Sequence, residues 1–194
     1  MGAPPVTKVS VEEYLALDRA AEVKSEYHDG EMFPMESASW IHSIIGFKIG
    51  AWLIRELHKT PCNVAGSSLR VRVSPTKYVL PDIVVVCGKP ALTDEVQDTL
   101  TNPKVIIEIL SPSTMDYDFG EKFRLYRRLP SFEEYVLVSQ DRARVETYRK
   151  TADKRWVLTI FEGLDSVAPI ESLNVSLPLA EVYDGVELPA LVED

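Results

Sequence analysis

The chain of 194 residues lacks the features that mark membrane-spanning, secreted or nucleotide-binding proteins. No apolar run approaches the roughly 20 residues that a transmembrane helix needs. Residues 1–5 show neither the basic start nor the apolar stretch of a secretion signal. Glycine is scarce, and no glycine-rich phosphate-binding loop is present. These absences predict a globular cytoplasmic protein without a membrane partner.

Cysteine is nearly absent as well, with Cys62 and Cys87 as the two residues of this type. Cys62 lies in a loop-like Pro-Cys-Asn stretch, Cys87 ends an apolar run, and their spacing is not that of a metal site. We expect both to be reduced structural thiols, which agrees with a reducing compartment such as the cytoplasm.

The chain also has fewer basic than acidic residues. It contains 21 Lys and Arg and 30 Asp and Glu, which gives a net charge of −9. This balance excludes a protein that coats nucleic acid non-specifically. The distribution is uneven, since residues 122–155 contain ten basic and five acidic residues. That stretch predicts one positive face, on which Arg124, Arg127, Arg128 and Arg142 would contact phosphates if DNA binds. The alternative is a solvated surface of mixed charge.

Composition and apolar periodicity predict a single mixed α/β domain over residues 1–194. Hydrophobic residues make up 45% and charged residues 26%, which are ordinary globular values. Ser10 and Glu13 form a capping-box pattern, Asp29-Gly30 predicts a hairpin, and Asp118 with Glu121 resembles a second capping box. Predicted helices cover residues 9–17, 40–57 and 118–129, and predicted strands cover 24–28, 31–35, 69–73, 82–86, 104–110, 134–138, 144–149 and 155–161.

This order gives a core of helix, strand, strand, strand, helix and strand, followed by a β-rich C-terminal extension. Residues 93–103 are polar and predict a loop. Trp40, Trp52 and Trp156 are interpreted as core or interface residues rather than base-stacking platforms.

Two acidic residues interrupt the most apolar strands. Asp82 opens one strand directly after Pro81, and Glu108 lies near the end of the next. A carboxylate in an apolar strand is costly unless it is paired or bound to a metal. Mg²⁺ prefers a few carboxylates together with water and phosphate oxygens. The alternative is a solvent-facing Asp82 and a Glu108 in a structural ion pair.

Lys122 is the third candidate, one turn into the following predicted helix. A Glu-x-Lys pattern would place an ammonium group beside Glu108, but Leu110 occupies that position. The flexible stem of Lys122 can reach the strand ends instead. The alternative is an exposed helix lysine. Ser111 and Ser113 have no evident His–Asp partners, so a hydrolase triad is excluded.

Several of these residues together resemble a known family. Pro81-Asp82, the run Glu-Ile-Leu-Ser-Pro-Ser-Thr at 108–114, and the later Asp118, Lys122 and Tyr126 are similar to the Uma2 family (DUF820) of restriction-endonuclease-like proteins. Residues 27–31, His42 and residues 177–183 also match, so the resemblance spans roughly residues 9–186. It implies a restriction-endonuclease-like mixed sheet, as in PD-(D/E)XK nucleases.

The resemblance also implies roles for individual residues. Asp82 and Glu108 would bind Mg²⁺ or Mn²⁺, and Lys122 would be the catalytic lysine, displaced to the next helix. Glu31 and His42 would be accessory residues; for His42 the alternative is a polar residue on a helix face. DNA would be the substrate, and a homodimer is expected because such nucleases often pair two active sites.

Three interpretations therefore stay open. The first is a Mg²⁺-dependent endonuclease, and the second is a catalytically inactive binding module with the nuclease fold. The third is a structural interaction protein whose carboxylates form ion pairs alone. Retention of Asp82, Glu108 and Lys122 favours the first, whereas the net negative charge favours the other two.

Overall fold

The computed structural model describes residues 8–189, so the N-terminal residues used to predict the absence of a secretion signal lie outside it. The helices are α1 (Val11–Ala20), α2 (Trp40–Glu56), α3 (Met115–Tyr117), α4 (Phe123–Tyr126) and α5 (Leu179–Tyr183). The strands are β1 (Ser25–His28), β2 (Glu31–Pro34), β3 (Cys62–Gly66), β4 (Arg70–Ser74), β5 (Lys77–Val79), β6 (Ile83–Cys87), β7 (Thr99–Leu100), β8 (Val105–Leu110), β9 (Glu134–Ser139), β10 (Arg144–Lys150), β11 (Trp156–Glu162), β12 (Val167–Ile170) and β13 (Val175–Pro178). In this described part of the chain, no helix is long and apolar enough to span a bilayer.

Local sequence signals place the first elements as predicted. The Ser10 side chain accepts a hydrogen bond from the Glu13 amide at 3.2 Å, and the Glu13 carboxylate accepts one from the Ser10 amide at 2.8 Å. This reciprocal cap begins α1. Asp29 and Gly30 both have positive φ values and turn the chain between β1 and β2. Ser39 caps α2 by accepting from the His42 amide.

A six-stranded sheet forms the centre of the molecule, in the order β11-β10-β9-β8-β6-β3. β8 and β9 run parallel, with the helical stretch of α3 and α4 connecting them, while the other neighbours are antiparallel. A second sheet has the order β2-β1-β5-β4-β7, and β12 pairs with β13. The fold is therefore mixed α/β with several sheets, as predicted.

The two faces of the large sheet bury different side chains because residues alternate along each strand. Ile83, Val85 and Ile107 face α2 and pack with Ile45 and Ile49. The alternate residues face the α3–α4 side, where Val84, Ile106 and Leu110 pack with Leu125 and Tyr126. Both β6 and β8 are buried on both faces, in agreement with their continuous apolar runs.

The first strand of the predicted core is different from the one expected. The sequence predicts that residues 69–73 supply it, but β4 belongs to the second sheet. The position beside β6 is taken by β3, which includes Cys62, a residue predicted to lie in a loop. The sequence Cys-Asn-Val-Ala-Gly has little strand propensity, so backbone pairing at a sheet edge determines its conformation. Residues 93–103 form the predicted loop except for the two-residue strand β7.

The predicted capping box at Asp118 and Glu121 is wrong. The helical stretch begins earlier, at Met115, and passes through a π-helical turn at Asp118–Lys122 before α4. Asp118 is buried beside Lys122, while Glu121 pairs with Arg124. The two residues of the capping-box pattern therefore lie inside the helix and form ion pairs instead of capping its start. The helix also ends at Tyr126, earlier than the predicted Leu129.

The expectation of two reduced thiols is also wrong. Cys62 of β3 and Cys87 of β6 form a disulfide and lie opposite each other in the register of the two strands. Their sequence separation of 25 residues gives no indication of this pairing, which the antiparallel alignment of β3 with β6 creates. These two residues therefore do not indicate a reducing compartment.

Candidate active site

Asp82 and Glu108 are cross-strand neighbours at one end of β6 and β8. Ile83 lies opposite Ile107 in the antiparallel register, so Asp82 and Glu108 form the next pair outward and share a face. The Asp82 amide donates to Glu108 Oε2 at 3.1 Å, and Asp82 Oδ2 accepts from the Ile109 amide at 2.8 Å. These two bonds from backbone amides fix both carboxylates at the strand ends.

Lys122 approaches the same carboxylate from the helical side of the sheet. Its Nζ lies 3.0 Å from Glu108 Oε1 and donates to the Leu80 carbonyl at 3.2 Å. The Ser-Pro-Ser-Thr sequence forms the turn between β8 and this helix, in which Ser111 Oγ accepts from the Thr114 amide. The structure thus places Asp82, Glu108 and Lys122 together, with Lys122 and Glu108 both buried.

Glu26 is a buried acidic residue of this cluster that sequence reasoning missed. One carboxylate oxygen accepts from the Leu80 amide at 3.0 Å and lies 3.7 Å from Lys122 Nζ. The other accepts from the Tyr117 hydroxyl at 2.6 Å, and that hydroxyl is 3.1 Å from His28 Nε2. Its position as the one acidic residue within predicted strand 24–28 was the signal that could have identified it.

Asp118 is the third carboxylate within 4 Å of the ammonium group, with its Oδ1 3.5 Å from Lys122 Nζ. The π-helical turn carries both residues and directs both into the buried cluster. π-Helical turns of this kind often occur at functional sites. Tyr126 completes the surroundings of Glu108 by donating its hydroxyl to Oε1 at 2.9 Å.

The electrostatics of the cluster reflect an excess of negative charge. Burial raises the pKa of Glu108 well above its usual range, and the charges of Asp82 and Asp118 add to this, while Lys122 opposes it. Burial likewise raises the pKa of Asp118. For Lys122, burial favours the neutral form, but Glu108, Glu26 and Asp118 outweigh it and raise its pKa well above the usual value. One ammonium group therefore faces several carboxylates in a poorly solvated space.

His42 of α2 lies at the open side of the cluster. Its Nε2 is 3.2 Å from Asp82 Oδ2, and both side chains are 18% exposed. Burial lowers the pKa of His42, but the hydrogen bond and charge of Asp82 prevail and raise it above the usual value. His42 can therefore orient Asp82 and hold a proton beside it.

The remaining sequence-predicted residues lie elsewhere. Glu31 is exposed on β2, and no hydrogen bond or ion pair between residues 8 and 189 connects it with the cluster. Arg124 is engaged by Glu121 through two hydrogen bonds, and Arg127 stacks over the Phe123 ring at 5.0 Å. Arg128 is exposed, and Arg142 is half-exposed next to Asp141.

The oxygen donors of the cluster suit a divalent cation such as Mg²⁺ that keeps part of its water shell. They do not suit a site in which the protein supplies every ligand. Among residues 8–189, no three His, Cys, Asp or Glu side chains are arranged to chelate a metal ion alone. Asp82 and Glu108 offer two neighbouring carboxylates, and Mg²⁺ commonly uses one or two carboxylates plus water and phosphate oxygens. The uncompensated negative charge around Lys122 also favours a bound cation.

Comparison with known proteins gives four informative matches. The sequence model of the Uma2 family, described as "Putative restriction endonuclease", matches residues 11–180. The uncharacterized proteins slr1290 and sll1609 of Synechocystis sp. are 32% and 36% identical, covering 94% and 78% of this chain and 95% and 86% of their own lengths. A crystal structure of a "putative nuclease belonging to DUF820" from Anabaena variabilis superposes with a TM-score of 0.74, at 19% identity over 94% of this chain and all of that one.

Proposed function

Because the chain belongs to the Uma2 family, we propose that it is a metal-dependent endonuclease that hydrolyses phosphodiester bonds in DNA. The observation that carries this proposal is the convergence of Asp82, Glu108 and Lys122 at the ends of two buried strands. The family description reads "Putative restriction endonuclease", and the similar Anabaena protein is described as a "putative nuclease". We also propose a cytoplasmic location, because DNA is the substrate.

Mg²⁺ or Mn²⁺, held by Asp82 and Glu108, would supply Lewis acidity toward a phosphate oxygen and acidify a bound water. The protein's own contribution is the placement of its side chains. The Ile109 amide orients Asp82, and Tyr126 together with the Asp82 amide orients Glu108. These bonds hold the oxygen donors of both side chains on the same face.

Lys122 retains its proton throughout, because its pKa is raised by the surrounding carboxylates. Its ammonium group can therefore stabilise negative charge that develops on the scissile phosphate. Asp82 and His42 form the partly exposed edge of the cluster, which makes this edge the approach for substrate. His42 can hold a proton there while water adds to phosphorus and the ester P–O bond breaks.

The second candidate is an inactive module in which the cluster only stabilises the fold. It is favoured by the hydrogen bonds and ion pairs that already satisfy Glu108 and Lys122 internally. A protein of this kind would keep the same geometry but neither bind a divalent cation nor cleave DNA.

The test compares wild type, Glu108→Gln and Lys122→Met with Glu134→Gln as the matched control. Glu134 is a buried carboxylate on the adjacent strand β9, and it accepts from the Ser172 and Glu171 amides away from the cluster. Plasmid, linear duplex and single-stranded DNA are incubated with Mn²⁺. Wild type and Glu134→Gln should cleave at least one substrate, and Glu108→Gln and Lys122→Met should not.

Thermal melts with and without Mg²⁺ separate catalysis from scaffolding. Glu108→Gln removes one of several carboxylates that repel one another, while Glu26 and Asp118 still pair with Lys122 and the glutamine oxygen can accept from Tyr126, so this variant should lose little apo stability. Mg²⁺ should stabilise wild type and Glu134→Gln by about 2.7 kcal/mol at a hundredfold excess over Kd. It should leave Glu108→Gln unchanged. A loss of about 3–5 kcal/mol in Glu108→Gln, with no metal response in wild type, would support the inactive module instead.

A further inference from the structure

The outward face of α2 is apolar over the length of the helix. Trp40, Phe47 and Ile54 recur every seven residues and are 80%, 85% and 63% exposed. The positions between them on this face hold no charge. We call this surface the α2 seam, and it consists of Trp40, Ser43, Ile44, Phe47, Gly50, Ala51 and Ile54.

The seam lies opposite the part of α2 that belongs to the fold. Ile45, Ile49 and Leu53 are fully buried against the sheet, and His42 faces Asp82. At 100° per residue, these positions fall on the other side of the helix from Trp40 and Phe47. Covering the seam therefore leaves the candidate active site open.

The exposed apolar area is comparable to the largest apolar patch on a typical monomeric protein, and such patches often have a function. A buried aromatic side chain removes about 150–250 Å² from solvent, so Trp40 and Phe47 together leave roughly 300 Å² of apolar surface uncovered. A stable interface buries about 800 Å² per partner around an apolar centre with a polar rim. Here the rim is formed on one side by the ion pairs Lys48–Asp184 and Arg55–Glu181.

We propose that the α2 seam binds the α2 seam of a second copy of this chain, with the two helices antiparallel and Phe47 on the two-fold axis. The seven-residue spacing is that of a helix–helix seam. Small residues stand between the large ones. A methyl group at Gly50 would meet no part of another described element within 4 Å, so the facing side chains have room. In this register Trp40 lies over Ile54 of the second copy. The uncharged face offers nothing to a phosphate backbone, which argues against nucleic acid as the occupant.

The edge strand β11 is the competing surface for self-association. Within residues 8–189 no strand pairs with its outer edge in the six-stranded sheet, and Val157, Leu158 and Ile160 are each close to half-exposed. Unpaired edge strands readily pair with other chains. A substitution at Leu158 is therefore the matched control for one at Phe47.

The first experiment measures molar mass by sedimentation over a range of concentrations. Wild type should be a dimer, and Phe47→Glu should weaken dimerisation by at least about tenfold, because it places charge at the centre of the interface. Leu158→Glu should remain dimeric. Circular dichroism and melting temperature check that both variants are folded. A monomeric wild type, or a dimer lost in Leu158→Glu but kept in Phe47→Glu, would overturn the proposal.

The second experiment tests the register by disulfide cross-linking under mild oxidation. Phe47→Cys should cross-link to itself, because both copies of this residue lie at the axis. Trp40→Cys should not, since its counterpart lies about 20 Å away along antiparallel helices. Cross-linking of Trp40→Cys with itself would indicate parallel helices and reject this arrangement.

Discussion

Arg70 is among the largest side chains that are completely buried in residues 8–189, and two carboxylates match its charge. Its guanidinium contacts Asp18 of α1 and Asp98, which precedes β7. Asp98 also accepts two hydrogen bonds from Arg19, at 2.8 and 3.0 Å. The bonds from Arg19 lower the pKa of Asp98 to about 2, and the charge of Arg70 acts in the same direction. These residues attach α1 to the second sheet.

Asp98→Asn should therefore lower the free energy of unfolding at pH 7 by about 1 kcal/mol, less than the full pKa shift implies because solvent reaches this side chain and screens its charge. Because the pKa of Asp98 is lowered by folding, its contribution is complete above about pH 5 and is lost as the pH falls toward 2. The difference between wild type and variant should shrink over that range in urea unfolding at pH 7, 4 and 2.5. The exposed substitution Asp165→Asn should change stability by less than about 0.5 kcal/mol. A difference for Asp98→Asn that is as large at pH 2.5 as at pH 7 would contradict this account.

Glu26 and Glu31 show how position in a hairpin decides the role of a residue. The resemblance directed attention to Glu31, but that side chain is exposed on β2. Glu26 of β1 is buried, and Lys122 lowers its pKa below the usual value although burial acts in the opposite direction. The residue with contacts to the candidate catalytic lysine is thus Glu26.

At the scale of elements, the π-helical turn between α3 and α4 determines where the side chains of the candidate active site lie. It holds Asp118 and Lys122 within one ion pair while Tyr126, one turn later, still reaches Glu108. A regular α-helix with one residue fewer would rotate these side chains relative to one another by about 100°.

Deletion of Gly120 should therefore reduce cleavage by roughly a hundredfold, because it displaces Lys122 from Glu108. Gly120→Ala is the control, since a Cβ at this position meets no described atom within 4 Å and the helix keeps its length. That variant should keep its activity and be as stable as wild type or more stable by up to about 1 kcal/mol. Initial cleavage rates of the three folded proteins decide between these outcomes. Full activity after deletion would show that the turn does not position Lys122.

For the whole molecule, the net charge of −9 restricts how DNA can be bound. The arginines of the basic stretch 122–155 are not equally available to bind phosphates, because Arg124 forms an ion pair with Glu121 and Arg149 forms one with Glu171. Arg127 and Arg128 are exposed and form no ion pair with a carboxylate of residues 8–189. They are the residues of this stretch that we expect to contact phosphates.

Replacing Arg127 and Arg128 by Ala should weaken DNA binding and make it less sensitive to salt. Each phosphate contact contributes about 0.9 to the slope of log K against log salt concentration, so the double variant should lose up to about 1.8. Fluorescence anisotropy at several salt concentrations measures the slope. Arg149→Ala should leave it unchanged, because its charge is already paired. Salt-independent binding, or no binding at low salt, would argue against a DNA partner.

Much of the fold could be predicted because it depends on local patterns. The capping box of α1, the Asp29-Gly30 turn and the apolar period of α2 act within a few residues of their own positions. The candidate active site could be predicted for a related reason, since Asp82 and Glu108 each interrupt an apolar strand. A buried carboxylate needs a partner wherever the strand is placed.

Pairing between distant segments was decided by the tertiary structure. The sequence by itself determined that residues 69–73 form a strand, but not that β3 would displace it from the large sheet. It contained Cys62 and Cys87, but only the register of β3 with β6 brought them together. Glu26 likewise became a neighbour of Lys122 through the packing of two sheets against one helix. Periodicity is a property of adjacent residues, whereas strand order and burial depend on contacts formed across the whole chain.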